Sequence, residues 1–227
     1  MKWLAIGDSI TFGVYSTVEN GKVVKRVGKG WVQQLASSLK YDLTVMASRG
    51  MGYTEAVTGK DPLDGSARIP LSTLLKRVQA LTDDYDLITV CFGVNDYNTP
   101  SFATLETIEN GLKNVLRVIA TKWKAARIVV LTPFNCSNTA SGTEETKWNC
   151  HVKRGEPKRS LADIAHKIME CCNDYGIECI NCTENFAFNV VNISPQLPDN
   201  VRLLPDRVHP SLKGHTLIAR SMKHYLI

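Results

Sequence analysis

The chain has 227 residues, of which 44% are hydrophobic and 22% charged, as is ordinary for a single globular domain. This composition argues against a disordered or fibrous protein, and no stretch approaches the ~20 apolar residues that cross a bilayer. The net charge of +5 comes from scattered lysines and arginines rather than from one basic face interleaved with aromatic residues, so nucleic-acid binding is not expected.

Short apolar runs alternate along the chain with stretches whose apolar residues recur at helical spacing. The predicted elements are strands over 3–6, 43–46, 86–92, 127–131 and 177–180, and helices over 30–40, 70–81, 101–123, 159–174 and about 211–225. Strands that alternate with helices predict βαβ units and a mostly parallel sheet, in one α/β domain over residues 1–227. The long irregular stretch 134–158 is a candidate lid, because loops of that length in compact domains are often functional.

The cysteines indicate neither a disulfide framework nor a metal site. Seven is an odd number, and several lie in apolar runs where free cysteine behaves as a small hydrophobic residue. The four residues Cys171, Cys172, Cys179 and Cys182 do not form the two short knuckles of a structural zinc site. We therefore expect no metal and a reduced, intracellular-type protein. No export signal is recognisable, which makes the cytoplasm the default location unless a signal was removed or export uses another route.

Polar and glycine residues follow the predicted strands, where an open α/β sheet forms its sites. The segments are Gly-Asp-Ser at 7–9, Ser-Arg-Gly-Met-Gly at 48–52, Gly-Val-Asn-Asp at 93–96 and, before the last helix, Asp-Arg-Val-His at 206–209. Because the carboxyl ends of parallel strands meet at one edge of the sheet, we expect the first three segments to lie close together.

These segments contain the residue types that acyl transfer needs. Serine is a weak nucleophile until a base takes its proton, and histidine has a pKa near neutrality. Ser9 and His209 are the candidates for these two roles. Asp206, three residues before His209, is placed to turn back toward the ring Nδ1 and hold its tautomer. The plainer alternatives are that Ser9 is only a helix N-cap and that His209 only precedes the last helix.

An oxyanion intermediate also needs hydrogen-bond donors. The candidates are the backbone N–H of Ser9, the backbone N–H of a glycine such as Gly50, and the side-chain amide of Asn95. Two aspartates are interpreted as supporting residues. We expect Asp8 to organise the turn at the serine and Asp96 to hold the loop in which it lies.

Three of the segments resemble, in the same order, the blocks of the SGNH hydrolases, also called the GDSL family. Gly-Asp-Ser-Ile-Thr at 7–11 is similar to the first block, 93–96 to its Gly-x-Asn-Asp block, and 206–209 to its final Asp-x-x-His block. The glycine block departs from the family pattern, since Val-Met-Ala at 45–47 replaces the usual Asn. The resemblance covers nearly the whole chain.

The resemblance implies that Ser9 is the nucleophile, His209 the base and Asp206 its partner. It favours Gly50 over Gly52 as the backbone donor, because a Gly-x-Gly-aromatic arrangement is similar to some family members. It also implies a flavodoxin-like three-layer α/β/α sandwich whose five-stranded parallel sheet has the order 2-1-3-4-5.

The expected function is hydrolysis of small-molecule or glycan esters through an acyl-enzyme, with no metal or organic cofactor. Polar loops at 134–158 and 54–68, and the lack of a long apolar stretch near the blocks, favour a carbohydrate O-acetyl ester. The alternatives are a lipid or thioester acylhydrolase and a non-catalytic glycan-binding module on the same fold. A nucleotide or flavin site is not supported, because no phosphate-cradling glycine-rich loop follows the first strand.

Overall fold

The computed structural model describes residues 1–54, 60–61, 63–98, 104–134, 160–185, 203–206 and 208–227. The candidate lid at 134–158 lies outside the described residues except for Phe134, and so do residues 55–59 and 62 of the polar loop at 54–68. Within the described part of the chain, no helix combines the length and apolar character that crossing a bilayer requires.

A five-stranded parallel sheet forms the centre of the fold. Its strands in chain order are β1 (Lys2–Gly7), β4 (Asp42–Ala47), β5 (Leu87–Cys91), β6 (Arg127–Leu131) and β7 (Glu178–Ile180). They lie side by side in the order β4-β1-β5-β6-β7. Counted within this sheet alone, that is the predicted order 2-1-3-4-5, and the α/β fold class is confirmed.

Helices cover both faces of the sheet and make the predicted three layers. They are α1 (Ser9–Phe12), α2 (Trp31–Leu39), α3 (Leu71–Gln79), α4 (Val94–Asn98), α5 (Leu105–Lys122), α6 (Leu161–Asp174) and α7 (Leu212–Lys223). The apolar sides of α3, α5 and α6 join one buried cluster, and those of α2 and α7 join a second cluster on the opposite face. The long helices begin later than predicted where a side chain caps them, at Thr104, Ser160 and Ser211.

A two-stranded antiparallel hairpin lies outside the main sheet and corresponds to no predicted element. It consists of β2 (Val14–Glu19) and β3 (Lys22–Val27). Asn20 and Gly21 join its strands, and both have positive φ values, 51° and 73°. An Asn-Gly pair of this kind matches the right-handed twist of the flanking strands, so the local hairpin signal is present in the sequence.

Candidate active site

A tight turn after β1 positions Ser9 at the carboxyl end of a central strand. Asp8 caps the short helix α1, because its Oδ1 accepts a hydrogen bond from the backbone N of Ile10 at 2.9 Å. The turn requires glycine at Gly7, where a Cβ would lie 2.8 Å from the backbone O of Cys91. Ser9 is therefore the first residue of the helix and not its N-cap, so the plainer alternative for Ser9 is wrong. Its side chain is buried, with 5% of the residue exposed.

His209 connects Ser9 to Asp206 through a continuous chain of hydrogen bonds. The Oγ of Ser9 lies 2.9 Å from His209 Nε2, and His209 Nδ1 lies 2.6 Å from Asp206 Oδ2. An ionised carboxylate only accepts, so Nδ1 carries the proton and Nε2 of the neutral ring faces the serine as an acceptor. Asp206 Oδ1 accepts from the backbone N atoms of His209 and Val208, at 2.7 and 3.1 Å.

Asp206 is an ionised carboxylate at neutral pH. Burial by itself raises its pKa, but the hydrogen bonds from His209 and the charge of Lys25 outweigh burial and hold the pKa well below its ordinary value. The Nζ of Lys25, on β3, lies 3.4 Å from Asp206 Oδ2. The carboxylate is thus available to fix the imidazole tautomer and to stabilise a protonated ring.

Strand β2 holds the backbone of the segment that carries Asp206 and His209. Ser16 is fully buried, and its hydroxyl donates to the backbone O of His209 at 2.6 Å and accepts from the backbone N of Asp206 at 3.3 Å. The backbone N of Ser16 donates to the O of Pro210 at 3.2 Å. Ser16 is not among the predicted site residues. The hairpin signal at Asn20 and Gly21 is the only feature of the sequence that could have pointed to Ser16.

Asn95 lies on α4, directly after β5, and lines the same cavity as Ser9 and His209. Its Nδ2 donates to the backbone O of Met51 at 2.8 Å, which fixes the orientation of the amide. The Oδ2 of Asp8 lies 3.5 Å from the same nitrogen. Burial raises the pKa of Asp8 to about 7, and backbone hydrogen bonds offset part of that rise.

The carboxylate of Asp96 packs closely against Gly52. The carboxylate of Asp96 accepts from the backbone N atoms of Tyr53 and Thr54, both at 2.9 Å. Asp96 lies on α4 and not in a loop, and the loop that it holds is the one after β4. A Cβ on Gly52 would lie only 2.4 Å from Asp96 Oδ2. Glycine is required at position 52 by this contact. Gly50 has a positive φ of 76° and lines the cavity beside Ser9.

The cavity at Ser9 has a volume of about 170 Å³ and a partly charged wall. Three cationic side chains line it, those of Lys25, Arg49 and Arg68. Arg49 is paired with acidic side chains, because its Nε lies 3.0 Å from Asp61 Oδ2 and its Nη2 contacts Asp64. The cavity therefore places a hydroxyl, an imidazole and a carboxamide together beside polar and charged groups.

The described residues include no group of three or more His, Cys, Asp or Glu side chains arranged to hold a metal ion. Of the four cysteines considered for zinc, Cys171, Cys172 and Cys182 are buried and Cys179 is partly buried, and all are free thiols. Burial raises the pKa of the Cys182 thiol well above its ordinary value, so that side chain is neutral and acts in packing.

Comparison with known proteins gives one family. Residues 5–217 match the family model described as the GDSL-like Lipase/Acylhydrolase family. The comparison with curated proteins found no match.

Solved structures resemble this chain over almost its whole length. An aryl esterase from M. smegmatis is 18% identical, with a TM-score of 0.65, and the match covers 99% of this chain and 97% of that one. A carbohydrate acetylesterase family member from Sinorhizobium meliloti is 16% identical, with a TM-score of 0.65 and coverages of 100% and 97%. A catalytic mutant of an acetylxylan esterase from Geobacillus stearothermophilus is 18% identical, with a TM-score of 0.63 and coverages of 98% and 92%. At these identities the likeness demonstrates a common fold.

Proposed function

Since the chain belongs to the GDSL-like lipase/acylhydrolase family and is a hydrolase that acts on ester bonds, we propose that it cleaves carboxylic esters through an acyl-enzyme on Ser9. The observation that carries this proposal is the hydrogen-bond chain from Ser9 Oγ through His209 to Asp206, with distances of 2.9 and 2.6 Å. A hydroxyl aligned in this way with an imidazole and a carboxylate is what proton abstraction from a serine requires.

In the proposed reaction, Nε2 of His209 takes the proton of Ser9 as Oγ attacks the ester carbonyl carbon. Asp206 stabilises the imidazolium that forms. The tetrahedral intermediate collapses, the bond to the alcohol oxygen breaks, and His209 gives its proton to the departing alcohol. Water then attacks the acyl-enzyme by the same route, which releases the carboxylic acid and restores Ser9. These steps use only groups of the protein, the ester and water.

The oxyanion of each tetrahedral intermediate is assigned to three donors, the backbone N–H groups of Ser9 and Gly50 and the amide of Asn95. The position of all three residues on one cavity wall supports this assignment. The bond from Asn95 Nδ2 to the backbone O of Met51 orients the amide before substrate binds. The second N–H of this amide, whose nitrogen lies 3.5 Å from Asp8 Oδ2, is the one assigned to the oxyanion. Donors oriented in advance need no reorganisation when charge develops, and such preorganisation is a large contribution to catalysis.

We assign the substrate to O-acetyl esters of carbohydrates. A cavity of about 170 Å³ is smaller than typical pockets for drug-sized ligands, and its charged wall is poorly suited to a fatty-acyl chain. The acetylxylan esterase and carbohydrate acetylesterase that share the fold act, by their names, on esters of this kind. These features support a substrate whose acetyl group lies in the cavity near Ser9 and whose polar alcohol portion extends out of that cavity.

The test is hydrolysis of 4-nitrophenyl acetate, butyrate and octanoate by the wild type and by Ser9→Ala. We expect the highest kcat/KM for acetate, and a loss of kcat of about 10⁴-fold or more in Ser9→Ala, because the substitution removes the proposed nucleophile. Ser37→Ala, which removes an exposed hydroxyl on α2, is the matched control and should retain full activity.

Substantial turnover by Ser9→Ala would refute the assignment of the nucleophile. A preference for octanoate would indicate a lipid or thioester acylhydrolase. Binding of acetylated glycans without hydrolysis of any ester by the wild type would favour the binding module instead.

A further inference from the structure

Arg68 lies between two adjoining cavities. It lines the cavity at Ser9 and also a neighbouring cavity of about 330 Å³, whose wall includes Phe12, Ser48 and Arg77. Its guanidinium packs directly on Gly50, where a Cβ would lie 3.2 Å from both Cζ and Nη1 of Arg68. Because Gly50 is assigned to the oxyanion hole, this guanidinium lies immediately beside the proposed reacting centre.

Arg68 differs from the other cations of the cavity in having no acidic partner. Arg49 is held by Asp61 and Asp64, and Lys25 lies 3.4 Å from Asp206. Arg68 makes neither a hydrogen bond nor an ion pair with any of the described residues, and its Nε is buried and unpartnered. A buried donor without an acceptor is costly, so this N–H is available to an acceptor that enters the cavity.

The surroundings of Arg68 favour a negatively charged partner. The carboxylate of Asp61 makes its ion pair with Arg49 and makes none with Arg68. Arg77, in the neighbouring cavity, adds a second positive charge on the side away from Ser9. A planar guanidinium offers two parallel N–H groups, and this fork matches a carboxylate or a phosphate better than a neutral hydroxyl.

We propose that Arg68 forms a subsite for an oxyanionic group on the alcohol portion of the ester, so that the preferred substrates are O-acetyl esters of acidic carbohydrates. The inference rests on the proposed function, because it places the anion relative to an acetyl group at Ser9. The anion extends from the cavity at Ser9 toward the neighbouring cavity. A carboxylate, as in a uronic acid, and a sugar phosphate share the chemistry that Arg68 recognises.

The kinetic test uses three acetyl esters that differ only at C6 of the sugar. They are an O-acetylated methyl glucuronoside, the matching methyl glucoside and its 6-phosphate, and acetate release is measured. We expect the wild type to prefer an anionic ester by at least about tenfold in kcat/KM. Arg68→Gln should lower kcat/KM for that ester by roughly 10- to 100-fold, and by less than about threefold for the glucoside, since a hydrogen bond to a charged group is lost.

Two further variants separate charge from position. Arg68→Lys keeps the positive charge but not the two parallel N–H groups of the guanidinium. It should retain part of the preference for the anionic ester over the glucoside. Arg117→Gln removes the same charge from an exposed position on α5, outside both cavities, and should behave as the wild type on all three esters. Whether the glucuronoside or the 6-phosphate is preferred identifies the anion.

A binding measurement keeps the test independent of turnover. Calorimetric titration of Ser9→Ala with the intact esters should show tighter binding of the anionic ester than of the glucoside. Adding Arg68→Gln to Ser9→Ala should abolish that difference. If this pattern appears while the wild type hydrolyses no ester, the subsite stands and the proposed reaction fails. Equal loss of kcat/KM on neutral and anionic esters in Arg68→Gln, or equal binding of both esters by Ser9→Ala, would overturn the subsite.

Discussion

Ser16 holds the backbone of the segment that carries two of the proposed catalytic residues, and it is not among the residues that line the cavity at Ser9. Its single hydroxyl bonds to the backbone of both Asp206 and His209, at 3.3 and 2.6 Å. Because those bonds fix the segment from which the imidazole projects, they set the distance of 2.9 Å between His209 Nε2 and Ser9 Oγ. Ser16 is therefore a positioning residue. Small displacements of a reacting group are expensive, since reaction requires a near-attack geometry.

We expect Ser16→Ala to lower kcat for 4-nitrophenyl acetate by about tenfold and to leave KM nearly unchanged, because a buried hydrogen bond is lost while the cavity is intact. Thr17→Ala, the next residue on the same strand, is the matched control and should retain the wild-type kcat. A change confined to KM, or equal losses in the two variants, would contradict the positioning role.

At the scale of elements, the side chain of His215 connects three elements by hydrogen bonds. It lies on α7 and is fully buried. Its Nδ1 accepts from the backbone N of Trp31, at the start of α2, at 3.1 Å, and its Nε2 donates to the backbone O of Val14, at the start of β2, at 3.0 Å. Burial lowers the pKa of His215 to about 4. Protonation would place an N–H against the N–H of Trp31, so the neutral ring is the form that joins the three elements.

This predicts a pH-dependent contribution to stability. The ordinary pKa of 6.5 applies in the unfolded chain and about 4 in the folded one, so the unfolded chain binds the proton more readily. The contribution of His215 to the free energy of unfolding is fully present above pH 6.5 and falls by about 3 kcal/mol as the pH drops to about 4. In His215→Gln we expect a lower free energy of unfolding than in the wild type at pH 7.5, with this gap narrowing toward pH 4.5.

Urea unfolding at the two pH values measures the gap. Comparison with the variant cancels the contributions of Asp8, whose raised pKa acts in the opposite direction, and of Asp206, whose lowered pKa acts in the same direction. Ser37→Ala, at an exposed position on α2, changes no titratable group and should show no pH-dependent gap. A gap for His215→Gln that stays constant with pH would show that this histidine is not buried in its neutral form.

At the scale of the whole molecule, the two buried clusters share the same strands. On β5, Ile88 and Val90 face the cluster under α3, α5 and α6, while Leu87 and Cys91 face the cluster under α2 and α7. Each of these side chains is at most 4% exposed. One layer cannot lose its packing without disturbing the strand on which the other layer rests. The described fold should therefore unfold in one cooperative transition.

We expect Ile88→Ala and Leu87→Ala each to reduce the free energy of unfolding by about 2–5 kcal/mol, because each leaves a cavity in a close-packed layer. Far-UV circular dichroism and tryptophan fluorescence should report the same midpoint in both variants. Val23→Ala, 46% exposed on β3, should change the free energy of unfolding by less than about 0.5 kcal/mol. Separate transitions for the two probes would contradict the cooperative unit.

The main architecture was predictable from the sequence because its signals are local. Apolar runs such as 86–92 and the helical spacing of apolar residues yield five strands, their alternation with helices and the parallel class. The segments at 7–9, 93–96 and 206–209 could be identified as candidate site segments in the same way, since the first two follow predicted strands and the third precedes the last predicted helix. The catalytic roles of their residues remain predictions that the variants above test.

Only the tertiary structure decided which residues around these segments matter, because their contacts join distant parts of the chain. Ser16 and His209 are 193 positions apart, so no periodicity reveals that one holds the other. The resemblance favours Gly50 over Gly52, but their surroundings differ through tertiary contacts, since Asp96 packs against Gly52 and Arg68 against Gly50. The charge of Arg68 is likewise visible in the sequence, but its lack of a partner among the described residues depends on where the neighbouring carboxylates point.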